Sequence, residues 1–350
     1  MNPHATWLPP WLRGAWETPG VTDVLVNGPG DVWIDRGLGL ERWTPPPGDA
    51  GGMVSTGEVR ELAVRLASLG GRRLDDACPM VDARLPDGSR LHAVLPPLSQ
   101  DCAVLSLRAV RAHALTLDDM VLAGTVAPPL APLLTGLVAG HASILVTGAT
   151  GAGKTTLLAT LLSLVDPRER IVVIEEAGEV TPRHPHVVRL IERRANVDGA
   201  GAVGLDRLVR EALRMRPDRV VLGECRGAEV REVMLALNTG HRGGFATLHA
   251  NSVRDVPSRL VALAALAGMG ERAAAMHAQS AFQAVIHVQR DAGRRWVAEL
   301  GVFARQGHHL AVEVAAEVTA AGQVTWGDAA GALWTLAGHH AETGSSPVAA

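Results

Sequence analysis

The sequence predicts an α/β fold, in which a mainly parallel sheet flanked by helices follows a smaller α+β domain. The first observation is a regular alternation of short apolar segments and helical segments between residues 143 and 248, which is typical of a parallel sheet. The second is the pattern before residue 124, where strand-like segments are joined by tight turns around one long helix. The 350 residues are enough for about two domains of this kind.

Turn and cap residues define the elements of the N-terminal domain. Apolar and polar residues alternate on both sides of the Asn-Gly-Pro-Gly sequence at 27–30, which indicates a strand–turn–strand unit. Either Ser55 or Thr56 caps a helix that ends at the glycine pair 70–71. The Pro-Asp-Gly sequence at 86–88 predicts a hairpin turn between two later strands.

Strands and helices alternate in the second domain. Strands are expected at 143–147, 171–175, 219–222 and 244–248, and helices at 154–164, about 205–215 and 228–238. Short strands resume after residue 285 and lead to a polar tail that we expect to be disordered. The predicted divisions are an irregular N-terminus at 1–20, the α+β domain at 21–123, a Pro-rich linker at 124–134, the parallel-sheet domain at 135–305 and a C-terminal extension with weakly defined strands at 306–350.

Composition narrows the class of protein. The net charge of -3 and the pI near 6.5 give no overall basic field that would attract nucleic acid or anionic lipid. Three widely spaced cysteines indicate neither a zinc ribbon nor a disulfide framework, and they fit a reducing cytosol. The N-terminus lacks the features of a signal peptide, and no apolar run is long enough to span a membrane. These observations predict a cytoplasmic protein.

A glycine-rich segment between a predicted strand and a predicted helix matches the phosphate-loop pattern G-x-x-x-x-G-K-[ST] without a mismatch. The expected nucleotide contacts are Gly148, Ala149, Thr150, Gly151, Ala152, Gly153, Lys154, Thr155 and Thr156. The glycines let backbone N–H groups converge on phosphate oxygens, and the helix N-terminus points its positive end at them. Lys154 would neutralise the β- and γ-phosphates and the Thr155 hydroxyl would bind Mg²⁺, whereas Thr156 more readily packs or caps.

Acidic residues follow two of the predicted strands. Glu175 and Glu176 end an apolar strand, at the edge of a parallel sheet where ligands bind, and a carboxylate there can polarise an attacking water. A solvated acidic strand end is the alternative reading of this pair. Glu224 ends the next strand, with Gly223 in the place of the usual aspartate. Glu224 would therefore meet Mg²⁺ through water or orient the nucleophile, unless it is simply a structural strand-end residue.

Two histidines flank a predicted strand near the same sheet. His241, His249 and Thr247 are expected to face the γ-phosphate and to hydrogen-bond it. Their spacing does not match a metal site, so metal binding is not expected. The alternative is that these histidines are polar residues with structural partners.

Taken together, these motifs identify a family resemblance that covers roughly residues 21 to 300. The matching segments are "VTDVLVNGPGDVWIDR", "GSRLHAVLPPLSQDCAVLSLR", "GATGAGKTT", "IEEAGEV", "HPHVVRLIERRANVDG" and "RMRPDRVVLGECRGAEVREVMLALNTGHRGGFATLHANS". The chain resembles the secretion ATPases of the type II/type IV superfamily, and in particular the branch that powers tight-adherence (Flp) pili. In that superfamily a glycine before the second acid is normal, so Gly223 does not count against activity. The chain lacks the zinc-binding cysteine motif of the general secretion branch, and it matches weakly from Gln306 onward.

The resemblance implies a RecA-like ATPase domain behind an α+β domain, in a homo-oligomer that is expected to be a hexamer. It also implies ATP and Mg²⁺ as cofactors, with Glu176 or Glu175 acting on the water. Arg90 and Arg108 of the N-terminal domain would reach the phosphates, although both could instead be ordinary strand arginines. The expected partner is a membrane-embedded platform protein, which would place the motor at the inner face of the cell membrane.

Two other classes of function remain open at this point. A nucleic-acid motor, either a RecA-like helicase or a DNA-transfer ATPase, would have a similar loop and sheet. The acidic pI and the scarcity of aromatic residues argue against nucleic acid as a partner. A non-catalytic scaffold gated by nucleotide is disfavoured because Lys154, Thr155 and Glu224 are all in place.

Overall fold

The computed structural model describes residues 7–37, 39–45, 54–109, 114–193, 200–307 and 309–338. The chain divides into two compact units, Met1–Arg111 and Ala112–Ala350. Each unit has its own sheet, so the α/β fold is confirmed, and the second sheet is mixed rather than wholly parallel.

An antiparallel sheet forms the centre of the first unit, in the order β3-β2-β1-β6-β5-β4 within the described residues. Its strands are β1 (Asp23–Gly28), β2 (Asp31–Asp35), β3 (Leu40–Arg42), β4 (Met80–Arg84), β5 (Arg90–Val94) and β6 (Val104–Arg108). The predicted turns at 27–30 and 86–88 join β1 to β2 and β4 to β5. Alternate residues of these strands are buried, so one face of the sheet carries the core of the unit.

Two helices accompany this sheet. Helix α2 (Thr56–Leu69) begins at a capping box, in which Ser55 and Glu58 satisfy each other's backbone N–H groups, so Ser55 is confirmed as the cap. Helix α1 (Pro10–Glu17) lies in the segment predicted as irregular. Proline is tolerated in the first turn of a helix, and Leu12 and Trp16 are buried in the same core, so these residues form a helix instead.

The sheet of the second unit has the order β15-β14-β13-β12-β7-β11-β10-β8-β9 in the part of the chain that the structure describes. The first six strands along the chain run parallel: β7 (Ile144–Gly148), β8 (Ile171–Glu175), β9 (Val187–Ile191), β10 (Arg219–Cys225), β11 (Phe245–Leu248) and β12 (Ala284–Asp291). Three antiparallel strands extend it: β13 (Arg294–Gln306), β14 (His309–Val318) and β15 (Val324–Trp326). Strands β7 and β8 are buried along their whole length, as expected for parallel strands covered on both faces.

Helices cover both faces of this sheet. They are α3 (Leu117–Leu122), α4 (Leu130–Ala139), α5 (Lys154–Leu162), α6 (Leu205–Ala212), α7 (Glu229–Asn238), α8 (Val256–Leu266), α9 (Glu271–Ala281) and α10 (Ala330–Leu336). Two separate clusters of buried apolar residues, one on each face, make up the core. No helix in the described ranges is long and apolar enough to cross a membrane.

Two predicted divisions differ from the structure. The units divide between Arg111 and Ala112, whereas the Pro-rich segment 124–134 belongs to the second unit, where Pro129 starts α4. The predicted division at residue 306 falls at the end of β13, and β14 pairs with that strand in the same sheet. Proline and glycine mark helix starts and turns as well as linkers, which explains both differences. The tail from residue 339 and residues 1–6 lie outside the described residues.

Candidate nucleotide-binding site

The glycine-rich loop follows β7 and leads directly into α5, as the sequence predicts. Gly151 and Gly153 have φ values of +73° and +104°, in the left-handed region that favours glycine. Gly148 has a close neighbour, because a Cβ at this position would lie 2.4 Å from the backbone oxygen of Val288 on β12. The loop backbone therefore depends on these glycines, and its turn precedes the N-terminus of a helix, the arrangement that binds anions.

Lys154 lies inside this loop rather than on its surface. Its side chain is only 8% exposed, and Nζ donates to the backbone oxygens of Gly148 and Ala149, each at 3.1 Å. Lys154 is also the only lysine of the chain, in which every other member of the 33 Lys and Arg residues is arginine. A compact ammonium fits this position, where the larger planar guanidinium would not have the same contacts.

His249 connects the loop lysine to the acid at the end of β10. Its Nδ1 lies 3.3 Å from Lys154 Nζ, and its Nε2 contacts Glu224 Oε1. Burial, and then the charge of Lys154, lower the pKa of His249, so the ring is neutral at neutral pH. Because an ammonium has no lone pair, Nδ1 accepts from Lys154 and the ring proton lies on Nε2, facing Glu224.

Arg226 joins the two predicted acidic positions, and the sequence reasoning missed it. Its Nη2 lies 2.6 Å from Glu224 Oε2, and its Nη1 lies 3.2–3.3 Å from both oxygens of Glu176. The structure therefore brings Lys154, His249, Glu224, Arg226 and Glu176 into one chain of contacts. An arginine two residues after a strand-end glutamate was the available signal in the sequence.

Gly223 is explained by the side chain of Glu175. A Cβ at position 223 would lie 2.8 Å from Glu175 Cγ, so an aspartate in the usual place would displace that glutamate. The backbone oxygen of Gly223 accepts a 2.6 Å hydrogen bond from Thr247 Oγ1. Thr247 therefore holds the strand segment that carries Glu224, which differs from its predicted contact with the γ-phosphate.

Glu175 differs from Glu176 in its environment. Its side chain is 4% exposed, Oε1 accepts from the backbone N–H of Val180 at 2.8 Å, and Oε2 is buried with no hydrogen-bond partner in the described residues. Burial raises the pKa of Glu175 to about 7. A carboxyl group with this pKa can take up and release a proton near neutral pH, which is the property of a general base.

Replacing Glu175 by glutamine should change how stability depends on pH. The folded protein holds a proton on Glu175 that the unfolded chain releases above about pH 4.5, so stability from this group is full below that pH and is lost as pH rises through about 7. The lost contribution is about 3 kcal/mol. We expect E175Q to become more stable relative to the wild type as the pH rises from 5 to 8. The unfolding free energies of both proteins, measured with denaturant, give this difference. A difference that stays constant over this range would contradict the buried, proton-holding carboxyl group.

His241 lies at the wrong edge of the sheet for its predicted role. Strand β11 begins at Phe245, next to Ile144, and ends at Leu248, next to Thr147. Since β11 runs parallel to β7, residues before it lie at the edge opposite the phosphate loop, and residues after it lie at the loop edge. His249 follows the strand, whereas His241 precedes it and contacts the backbone oxygen of Ala236 at the end of α7. The prediction for His241 is wrong within one subunit.

The β12–β13 hairpin contributes two further arginines that the sequence reasoning missed. Arg295 Nε donates to the backbone oxygen of Gly151 at 3.1 Å. Arg290 pairs with Arg295 across the hairpin, and its guanidinium also approaches Gly151. Both side chains therefore add positive charge beside the phosphate loop. Their distance from the loop in the sequence, about 140 residues, gave no local signal.

The two predicted N-terminal arginines lie opposite each other in the first unit, because Arg90 on β5 pairs with Arg108 on β6. Arg90 forms a two-point ion pair with Asp82, at 2.9 and 2.6 Å. Arg108 Nε lies 3.7 Å from Asp23 and its side chain is nearly half exposed. The structure thus places the two arginines side by side on one sheet, each with an aspartate of its other neighbouring strand as partner.

The residues suited to Mg²⁺ are oxygen donors. The Thr155 hydroxyl is half-buried in the first turn of α5, and the Glu224 carboxylate lies near the end of β10, which β11 separates from β7. Magnesium prefers such hard oxygen ligands and keeps several waters, so this donor set fits the ion. In the described residues no group of three or more His, Cys, Asp or Glu side chains could hold a metal without help from a ligand. Thr156 accepts through its backbone oxygen from Thr160, a contact within the helix.

An open pocket of about 290 Å³ lies beside Glu176 and Arg226. Its wall also includes Glu192, Asp206 and Glu229, so the surface around Arg226 is mostly acidic. Solvent therefore reaches the Glu176–Arg226 pair directly, as a site that positions water requires.

Comparison with known proteins shows the family to which this chain belongs. The model of the type II/IV secretion system protein family matches residues 16–320. A Mycobacterium tuberculosis protein named "Putative conjugal transfer protein" is 50% identical over 305 residues, which cover 84% of each chain. The type IV secretion system protein PtlH of Bordetella pertussis is 32% identical over 282 residues, covering 73% of this chain and 79% of PtlH.

Solved structures show the same fold. The pilus retraction motor PilT, solved with bound ADP, has a TM-score of 0.56 at 21% identity, over 89% of this chain and 83% of PilT. The ATPase DotB of Legionella pneumophila has a TM-score of 0.54 at 19% identity, over 90% of this chain and 82% of DotB. With the family match over most of its length and the phosphate loop in place, this chain belongs to the type II/IV secretion system protein family.

Proposed function

We propose that this protein is a cytoplasmic, Mg²⁺-dependent ATPase whose RecA-like second unit drives protein secretion or the assembly of a type IV or tight-adherence pilus. The observation that carries the proposal is the chain of contacts from Lys154 through His249 to Glu224 and Arg226. These contacts connect Lys154, the residue type that binds phosphate, with the acids that would act on Mg²⁺ and on the attacking water. Family membership and the fold shared with PilT and DotB support it.

The two neighbouring glutamates have different roles in this proposal. Glu176, which lines the open pocket and pairs with Arg226, acts on the attacking water. Glu175, whose pKa burial raises to about 7, lies against Gly223 and contacts the strand end that carries Glu224.

The other residues hold the nucleotide. The loop backbone from Gly148 to Thr155 binds the phosphate oxygens, and Lys154 exchanges its contacts with loop carbonyls for contacts with the β- and γ-phosphates. Thr155 and Glu224 would hold Mg²⁺, directly and through water, and the ion would neutralise phosphate charge. His249 would turn its Nε2–H from Glu224 to the γ-phosphate, so the presence of that phosphate changes the contact between His249 and Glu224.

Assembly is the second part of the proposal. The protein forms a homo-oligomer, a hexamer, and works at the inner face of the cell membrane on a membrane-embedded platform protein. Arg90 and Arg108 supply guanidinium groups to the transferred phosphoryl, where developing charge favours them. Electron microscopy with an ATP analogue tests the assembly, since a ring of six copies is expected and a strictly monomeric protein would contradict it.

Replacing Arg108 by alanine should lower turnover far more than nucleotide affinity. A group that acts on charge developing in the transition state changes kcat and leaves ground-state binding nearly unchanged. We expect kcat to fall at least about tenfold, with less than about a threefold change in ADP affinity. Arg36→Ala is the matched control, because Arg36 is equally exposed and pairs with Glu41 in the same unit. Unchanged turnover in R108A would remove Arg108 from the mechanism.

A DNA-transfer motor is the second candidate, favoured by the name of the Mycobacterium tuberculosis relative. Phosphate release measured with and without single-stranded DNA separates the two candidates. Strong stimulation that disappears as salt is raised would favour DNA transfer, because binding to the phosphate backbone is salt-dependent. Turnover that DNA leaves unchanged supports the secretion or pilus motor.

A further inference from the structure

A buried histidine lies beside the strand that leads into the phosphate loop. His287 on β12 is 2% exposed, and its Nδ1 lies 2.9 Å from the Oγ1 of Thr147 on β7. Thr147 is fully buried and immediately precedes Gly148. None of the motifs in the sequence includes His287, and the mechanism above does not use it.

His287 is the middle of a row of polar residues across three neighbouring strands. In the sheet register it lies opposite Thr147 on one side and Glu299 of β13 on the other. Glu299 Oε2 accepts a 2.8 Å hydrogen bond from the backbone N–H of Val253. Val253 lies four residues after His249, so the two ends of the row contact the base of the phosphate loop and the segment that follows the histidine.

The apolar surroundings make this row stand out. The preceding register positions of β7 and β12 are filled by Leu145, Val146, Val285 and Ile286, all fully buried. Burying a hydroxyl and an imidazole is unfavourable unless they are hydrogen-bonded, whereas another apolar pair would stabilise the sheet without that requirement. Within the β7–β12 ladder, the polar pair His287–Thr147 lies at the position where the two strands reach the loop.

The geometry also links His287 to the loop backbone. The ladder between β12 and β13 shifts its register between His287 and Val288. The backbone oxygen of Val288 approaches Gly148, the residue whose own carbonyl accepts from Lys154. A movement of His287 would therefore displace the strand end that holds Gly148 and, through it, Lys154.

We propose that His287 is a positioning residue, which holds the end of β7 through Thr147 so that Lys154 and His249 meet the phosphates together. The proposal rests on the proposed ATPase function. Burial lowers the pKa of His287, while Glu299 and Asp255 oppose this effect and Lys154 adds to it. The ring acts as a neutral hydrogen-bond partner of Thr147 and takes no part in proton transfer.

The test uses Thr147→Val, which removes the hydroxyl at nearly constant volume, and Thr147→Ser, which keeps it. We expect kcat of T147V to fall about fivefold to tenfold, the effect of about one hydrogen bond, with KM for ATP changed less than about twofold. T147S should recover most of the rate. Thr160→Val is the matched control, because Thr160 is another fully buried threonine whose hydroxyl bonds backbone oxygens away from this row.

A double-mutant cycle with His287→Leu identifies the partner. If the two residues act as a unit, T147V/H287L should be no slower than the slower single variant. Rates are normalised to folded protein measured by circular dichroism, so a purely structural effect does not change them. T147V turnover equal to the wild type, or effects that multiply in the double variant, would overturn the proposal. A wild-type protein without any turnover would instead overturn the ATPase function on which it rests.

Discussion

Replacing Lys154 by alanine should reduce ATP hydrolysis by about a hundredfold or more. The variant removes the charge that neutralises the β- and γ-phosphates, and loss of one group that stabilises transition-state charge has an effect of this size. It also removes the contacts to Gly148, Ala149 and His249, so the loop and the histidine lose their common link. Steady-state phosphate release measures the change.

Lys154→Arg provides the matched control for charge. A planar guanidinium keeps the positive charge but cannot occupy the same buried position between two carbonyls and an imidazole. We therefore expect K154R to be nearly as slow as K154A. Activity close to the wild type in either variant, with the protein folded, would contradict the assignment of the loop.

Replacing Glu224 by glutamine should have the second large effect. The amide keeps the size of the side chain but loses the charge that Arg226 and His249 contact. We expect turnover to fall about a hundredfold while ATP is still bound, because the residue acts on water and metal rather than on the phosphate loop. Phosphate release and nucleotide affinity, measured on the same preparation, separate the two effects.

Glu232→Gln is the control for Glu224. Glu232 on α7 is similarly half-buried and forms an ion pair with Arg210, outside the site. Its replacement should leave turnover within about twofold of the wild type, since ion pairs near the surface contribute little. Equal losses in E224Q and E232Q would mean that the effect is general destabilisation.

The order of strands and helices in the second unit follows from local sequence. Apolar runs such as Ile144–Gly148 and Ile171–Glu175 are confirmed as strands because both faces of a parallel sheet are buried. The helix after Ser55 is confirmed because a capping box is a local signal. Strand β9 was missed, since its residues are only half-buried at the edge of the sheet and carry a weaker apolar pattern.

The phosphate loop and the acids at the strand ends could be predicted because each is recognised from a short motif of neighbouring residues. The contacts between elements could not be predicted in this way. Arg295 reaches Gly151 across about 140 residues, and His287 reaches Thr147 across a similar separation. His241 was assigned to the wrong edge although the strand after it was predicted at 244–248, because both histidines were assigned to one edge without regard to the direction of the strand between them.

The proposed mechanism requires that ATP is bound and hydrolysed at the loop around Lys154. An ATP derivative with an acyl group on its terminal phosphate tests it most directly, because it transfers the acyl group to a lysine amine beside that phosphate. Since Lys154 is the only lysine, the modified peptide identifies the site without ambiguity. We predict acylation of Lys154 that excess ATP suppresses and that removes phosphate-release activity. Hydrolysis that continues after Lys154 has been fully acylated, or acylation that ATP does not reduce, would contradict this proposal.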